Sequence, residues 1–154
     1  MIRPATPEDA GAIRRCAEAA FAPYVPLIGR RPAPMDTDFP AAIAAGQVWL
    51  AERGGELAGY LICRAESEAM LLDTVAVLPR WGGQGIGRAL IRQCEALACA
   101  AGLPAVRLYT NALMTQNLQL YPHLGYAITG RRQDQGFDRV FFEKRLCQGQ
   151  AGSP

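Results

Sequence analysis

The chain has 154 residues, half of them apolar and 19% charged, with a formal net charge of +2. That length suits one domain able to bury a core without disulfides or a structural metal. The near-neutral balance, with no run of five basic residues, excludes a general nucleic-acid binder. Five cysteines fall at positions 16, 63, 94, 99 and 147. Their odd count, the lack of CxxC and the lack of histidine at zinc-ligand spacing argue against a disulfide framework or a metal site. Cys16 and Cys94 fall on apolar helix faces and read as small buried hydrophobes, as in a reducing compartment. No apolar run approaches the roughly 20 residues that cross a bilayer, and the N-terminus has no apolar signal core. The expectation is a soluble, cytoplasmic protein with no membrane or nucleic-acid partner.

In chain order, "MIR" reads as a short first strand. "ATPEDAGAIRRCAEAAF" (5–21) reads as a helix, with Thr6 as N-cap, Pro7 at the first helical position, and Glu8 and Asp9 at the positive end of the dipole. Ile13, Cys16, Ala17 and Ala20 form its apolar stripe. The prolines of "APYVPLIGRRPAPM" (22–35) argue against regular helix, and the stretch is long for a passive connection, which suggests a binding loop. "DTDFPAAIAAG" is a short helix stopped at Gly46. "QVWLAERGGELAGYLICRA" is a hairpin turning at Gly54 and Gly55. "AMLLDTVAV" (69–77) reads as a strand buried on both faces. Residues 86–101 form the clearest helix, with Ile86, Leu90, Cys94, Leu97 and Ala101 on one face and Gly102 and Pro104 ending it. "AVRLYT" is a strand, "MTQNLQLYPHLG" a short helix containing Pro122, and "YAITGRR" and "FDRVFFEKRL" two final strands. "CQGQAGSP" (147–154) reads as a flexible tail, leaving residues 1–146 as one domain. The alternation of helices and strands implies a three-layer α/β or α+β domain with a partly parallel sheet.

One stretch stands apart. "VAVLPRWGGQGIGRALI" (75–91) places Gly82, Gly83, Gly85 and Gly87 between a strand and a helix. The first helical N–H groups have no intrahelical partner, and the dipole adds positive charge. Glycines let the intervening backbone curl so that several N–H groups face one anion. The dinucleotide fingerprint GxGxxG fails, because its third glycine falls on Arg88 or Leu90, and the loop follows a late strand. The nucleotide-hydrolase loop GxxxxGK[ST] fits only at Gly82 and Gly87; Arg88 and Ala89 follow, and Ala89 offers no hydroxyl to magnesium. What is left is a pyrophosphate held on backbone amides without metal.

These residues resemble the acetyl-CoA loop of the GNAT superfamily of N-acetyltransferases, [Q/R]xxGxG/A. Gly85 and Gly87 fit, while Gly82 replaces the usual Gln or Arg. "NLQLYPHLGY" is similar to the family's second cofactor segment, LY-x-x-x-G-[FY], and the order of elements matches over about residues 1–146. The resemblance implies a GNAT-like three-layer domain, with a mixed, mostly antiparallel central sheet flanked by helices and a splayed strand before the pyrophosphate loop. It implies acetyl-CoA as cosubstrate, no metal, and direct transfer to a primary amine of a small molecule or peptide, with a homodimer common among similar proteins. Gly82, Gly83, Gln84, Gly85, Ile86, Gly87 and Arg88 would hold the cofactor's phosphates, although Arg88 also suits a solvated helix position. The backbone of Val75, Ala76 and Val77 would pair with the pantetheine arm, unless the segment is an ordinary buried strand.

Acetyl transfer needs a neutral amine, donors for the oxyanion and a proton for the leaving thiolate. Tyr121 aligns with the family's tyrosine near the cofactor sulfur; a phenol and a thiol have unperturbed pKa values within about two units. A core tyrosine is the competing interpretation. Asn117, one turn earlier, shares Tyr121's face and is a candidate cofactor contact. Asp73 alternates with Val75 and Val77 and is the candidate base, with a structural role as its alternative and Glu66 and Glu68 as rivals. His123, the only histidine, sits beside Pro122 and reads as surface. Tyr24, Arg30 and Met35 are candidates to line the acceptor pocket, and Trp81 to pack on the outer side of the loop. A non-catalytic acyl-CoA sensor is the alternative function, and a small nucleotide hydrolase a second.

Overall fold

The computed structural model describes residues 1–146; Cys147 and the expected tail lie outside the described residues. Seven strands form one sheet in the order β1-β2-β3-β4-β5-β7-β6. They are β1 Ile2–Pro4, β2 Val48–Arg53, β3 Glu56–Ala65, β4 Met70–Val77, β5 Ala105–Asn111, β6 Ala127–Asp134 and β7 Phe137–Arg145. The helices are α1 Ala10–Phe21, α2 Tyr24–Ile28, α3 Phe39–Ala44, α4 Ile86–Ala100 and α5 Thr115–His123. β4 and β5 run parallel, whereas β1–β2, β2–β3, β5–β7 and β6–β7 are antiparallel. The chain divides into two compact units, Met1–Cys63 with Asp73–Gln93, and Arg64–Leu72 with the chain from Cys94 on.

In the first unit, the helix expected from residue 5 begins as a tight turn. Pro7–Asp9 is 3-10 and the α-helix starts at Ala10. The Asp9 carboxylate accepts from the Thr6 amide at 2.7 Å and from the Thr6 hydroxyl at 3.1 Å, and so tightens that turn. Arg3 grips both Asp9 oxygens at 2.9 and 3.0 Å, which ties β1 to the helix start and holds the Asp9 carboxyl down at about 2. Ile13, Cys16, Ala17 and Phe21 are buried, while Ala20 is only half-buried. Burial pushes the Cys16 thiol up to about 12, as an inert core thiol requires.

The proline-rich stretch is more regular than its composition suggests. Tyr24–Ile28 is a short helix and Ala33–Asp36 a 3-10 turn. Pro26 lies in the first turn of α2, where its missing N–H breaks no helical bond. Gly29, at φ +88°, then ends the helix, its N–H bonded to the Val25 carbonyl at 2.8 Å. Arg31 ties the stretch down through Glu18 at 2.9 Å and Asp36 at 3.1 Å.

The β2–β3 hairpin turns at Gly54 (φ +59°) and Gly55 (φ +81°), as expected. Its inner strand owes its fit to one small residue. A methyl group on Gly59 would sit 2.6 Å from the Ala76 carbonyl oxygen and 3.3 Å from Leu90 Cδ1. β3 thereby approaches β4 at backbone distance, and the Leu78 amide reaches the Ala58 carbonyl at 2.8 Å.

β4 corrects an expectation. Its burial alternates: Met70, Leu72, Thr74 and Ala76 are buried, whereas Leu71, Asp73, Val75 and Val77 are half-buried. The strand is covered fully on one face only, although Val75 and Val77 are as apolar as the residues between them. The face of α4 also differs in detail. Ile86, Leu90, Ile91, Cys94 and Ala98 are buried, while Leu97 is half-buried and Ala101 exposed. The buried stripe drifts around the helix because 3.6 residues per turn does not keep a strict spacing of three and four.

In the second unit, β5 pairs with β7 from Ala105↔Arg145 to Asn111↔Arg139, and β6 closes against β7 through a turn at Gln135 (φ 54°) and Gly136 (φ +81°). Val106, Leu108, Val140 and Phe142 supply its apolar core. Cys63 and Cys94 are buried and Cys99 is exposed. Among the described residues no helix is long and apolar enough to cross a membrane. Gly59→Ala should lower stability by about 1–3 kcal/mol, read as a reduced urea midpoint with unchanged slope. An unaltered midpoint would show that β3 does not need this close approach.

Candidate active site

The glycine loop of the first unit is built from the strand outward. β4 ends at Val77, and Leu78 is extended. Pro79–Trp81 is a single 3-10 turn, closed by the Trp81 amide on the Leu78 carbonyl at 2.9 Å and the Gly82 amide on the Pro79 carbonyl at 3.1 Å. Gly82 is extended, and a methyl group there would lie 3.2 Å from the Pro79 oxygen. The departure from Gln or Arg at this position thus suits the tight turn.

Gly83 and Gly85 have φ of +76° and +81°, a region that side chains rarely adopt, and a Cβ on either would meet nothing within 4 Å. The backbone therefore curls around open space. α4 follows, and its first turn closes with the Ala89 amide on the Gly85 carbonyl at 3.0 Å. The amides of Ile86, Gly87 and Arg88 precede that bond and have no intrahelical acceptor. Ile86, only 1% exposed, anchors the helix start in the core. Gln84 and Arg88 are exposed. A Cβ on Gly87 would rest at 3.7 Å from Val77 Cγ2, an ordinary contact, so space alone does not demand glycine there. Trp81 carries a buried indole N–H with no partner among the described residues. Arg80 forms an exposed ion pair with Glu56. A glycine turn of positive φ that leads into a helix N-terminus fits a phosphate pair; among the described residues no cluster of His, Cys, Asp or Glu is arranged for a metal.

The half-buried face of β4 carries Asp73, Val75 and Val77 together, as their alternation predicts, and the Ala76 side chain faces the core. Asp73 is a partnered residue. Its charge bears on Tyr60, whose phenol is driven up first by burial, then by Cys16 and Asp73. The Tyr60 hydroxyl is buried without a hydrogen-bond partner among the described residues. Sequence reasoning missed this tyrosine, because a Tyr inside an apolar strand carries no spacing signal.

An open groove of about 550 Å³ in the same unit is lined by Ala12, Arg15, Cys16, Leu57, Pro79 and Arg80. Tyr24, Arg30 and Met35 do not line it. Met35 is 3% exposed, on a turn that packs against α1.

In the second unit, Tyr121 on α5 is 6% exposed. Its ring meets Tyr126 edge-on at 5.6 Å and Phe142 at 5.7 Å. Burial raises its phenol well above the ordinary value, with Cys94 adding to the shift, so the group is protonated at neutral pH. Asn117 shares that face and donates to Thr110 Oγ1 at 3.1 Å, fixing α5 to β5. The motif's terminal tyrosine, Tyr126, donates its hydroxyl to Glu95 at 2.8 Å, and Lys144 lies 3.2 Å from both Glu95 oxygens. That trio was not legible from spacing, since its members lie far apart in sequence, on α4, in the turn before β6 and on β7. His123 and Glu66 are exposed, and Glu68 reaches Arg107 at 3.8 Å.

A sequence model of the family described as "Acetyltransferase (GNAT) domain" matches residues 44–128. No curated protein matches the sequence. Solved structures share the fold. The PaiA N-acetyltransferase of Thermoplasma acidophilum, crystallised in complex with coenzyme A, is 16% identical with a TM-score of 0.78, over 95% of this chain and 98% of that one. A GCN5-related N-acetyltransferase structure from Rhodopseudomonas palustris is 22% identical with a TM-score of 0.78, over 95% of both chains. The ribosomal-protein-S18-alanine N-acetyltransferase of Escherichia coli is 18% identical with a TM-score of 0.74, over 95% of this chain and 93% of that one.

Proposed function

The chain belongs to the GNAT family of acetyltransferases, and from that premise we propose that it transfers an acetyl group from acetyl-CoA directly to a primary amine. One observation carries this reading: the curl at Gly83 and Gly85, open to the addition of atoms, leads into the unpaired amides of Ile86, Gly87 and Arg88. A pyrophosphate satisfies those donors without a metal. When bound, acetyl-CoA supplies a thioester, already activated toward attack by an amine.

The protein's own groups then divide the work. The loop amides and the start of α4 anchor the phosphates, with Arg88 adding charge beside them. Val75, Ala76 and Val77 offer strand backbone to the pantetheine arm, and one of their amides donates to the thioester carbonyl, where negative charge grows in the transition state. Tyr121, protonated at neutral pH, gives its proton to the departing thiolate. Asn117 lines the same side of α5. Asp73 takes the proton that the amine sheds, directly or through water. The acceptor is a small molecule or a peptide amine.

Gly85→Glu would set a side chain and a negative charge in the anion's place. Titration calorimetry should find acetyl-CoA binding abolished in the folded variant; near-normal affinity would refute the assignment of the loop. Tyr121→Phe should slow turnover by about 100-fold with little change in cofactor affinity. An unchanged rate at saturating substrates would remove Tyr121 from the mechanism.

A further inference from the structure

The groove that opens between α1, the start of β3 and the end of β4 has no part in the reaction described above. Its volume of about 550 Å³ falls in the range of small-molecule sites, about 300–1,000 Å³. Ala12 and Cys16 of α1, Leu57 of β3 and Leu78 give it apolar walls. Ala12, Leu57 and Leu78 are only half-buried, so this apolar surface is within reach of a ligand.

The charges on its rim do not balance. Arg15, Arg80 and Glu56 line the groove, and Glu56 is ion-paired with Arg80. Arg15 is exposed and forms no ion pair among the described residues. Its guanidinium lies back along α1, with Nη1 at 3.4 Å from where a methyl group on Gly11 would sit. The bare Gly11, one turn earlier, gives the cation room to lie low against the helix. One positive charge is thus left over beside an apolar cleft, which favours a ligand that is apolar at one end and anionic at the other.

Continuity with the glycine loop names that ligand. Leu78, Pro79 and Arg80 line the groove, and the 3-10 turn Pro79–Trp81 leads from them into Gly82. Groove, turn and loop all belong to the first compact unit. A coenzyme A whose pyrophosphate rests on the loop carries, one ribose away, an adenine ring and a 3′-phosphate. The ring offers flat faces to apolar walls. A phosphate monoester bears about −1.5 to −2 charges at neutral pH and suits an unpaired guanidinium.

We infer that this groove holds the adenosine end of coenzyme A, with the base against Leu57, Leu78 and Pro79 and the 3′-phosphate on Arg15. The inference rests on the acetyl-transfer reading above, which supplies the cofactor. Arg15 is then the residue that tells coenzyme A from its 3′-dephospho form.

Titration calorimetry of the whole chain with coenzyme A, 3′-dephospho-coenzyme A and 4′-phosphopantetheine tests the site. The wild type should bind coenzyme A about 5-fold more tightly than the dephospho form, the scale of a solvent-exposed charge pair. Arg15→Gln, at an exposed helix position, should bring coenzyme A down to the dephospho level and leave dephospho-coenzyme A unmoved. Arg88→Gln, on the loop side, should weaken both equally, since both carry the pyrophosphate. Ala12→Gln, which fills the groove, should weaken both as well but spare 4′-phosphopantetheine, which has no adenosine. Equal wild-type affinities, a preference that survives Arg15→Gln or is erased by Arg88→Gln instead, or full coenzyme A affinity in Ala12→Gln would each overturn the site. Coenzyme A binding without the Arg15 effect removes the groove alone. Failure of both coenzyme forms to bind at all defeats the acetyl-transfer reading and this site with it.

Discussion

Backbone amides at the start of α4 have no acceptor within the helix, and the rest of the site is organised around that lack. Gly83, Gly85 and Arg88 are exposed, so these N–H groups face solvent, where an anion can take the place of water. Gly83 and Gly85 make the curl, because at φ of +76° and +81° a side chain would be strained even where there is room for it. Ile86 holds the far side by burying its side chain. Gly59 belongs to the same arrangement from one strand away, where the lack of a Cβ lets β3 lie against the backbone at Ala76. Glycine thus serves two distinct ends in this unit, one conformational and one steric.

The second unit shows how tyrosines are kept in a defined state. Tyr121 is enclosed by Tyr126 and Phe142, and burial keeps its proton on. Tyr126 is fixed in turn through its hydroxyl to Glu95, which Lys144 neutralises. Buried phenols of this kind are costly to ionise, so Tyr121 keeps its proton at neutral pH. Arg139 extends the theme to a cation: it lies over the Tyr109 and Phe137 rings and donates to the Asp134 carboxylate.

Much of the fold was legible because it follows from local rules. The order of elements, the Gly54–Gly55 hairpin, the stop at Gly46 and the loop before α4 all follow from turn chemistry and apolar periodicity. The failures have physical causes. Pro26 suggests a barrier to helix, but within the first turn of α2 it costs no hydrogen bond. The apolar run of β4 suggested cover on both faces, yet Val75 and Val77 lie half-exposed, since an apolar side chain says nothing of whether anything lies over it. The place of Met35 in a proline-rich loop does not tell that its side chain is buried. Tyr60, Glu95 and Arg139 were missed because their significance arises from partners distant in sequence.

The most direct measurement is an amide NMR titration of the 15N-labelled chain with coenzyme A in the presence of a chelator. Large, saturable shifts of the Gly83, Gly85, Ile86, Gly87 and Arg88 resonances are expected, which do not need magnesium and are lost with pantetheine, which lacks the phosphates. Resonances that stay in place while coenzyme A binds, or that move only when magnesium is restored, would contradict this expectation.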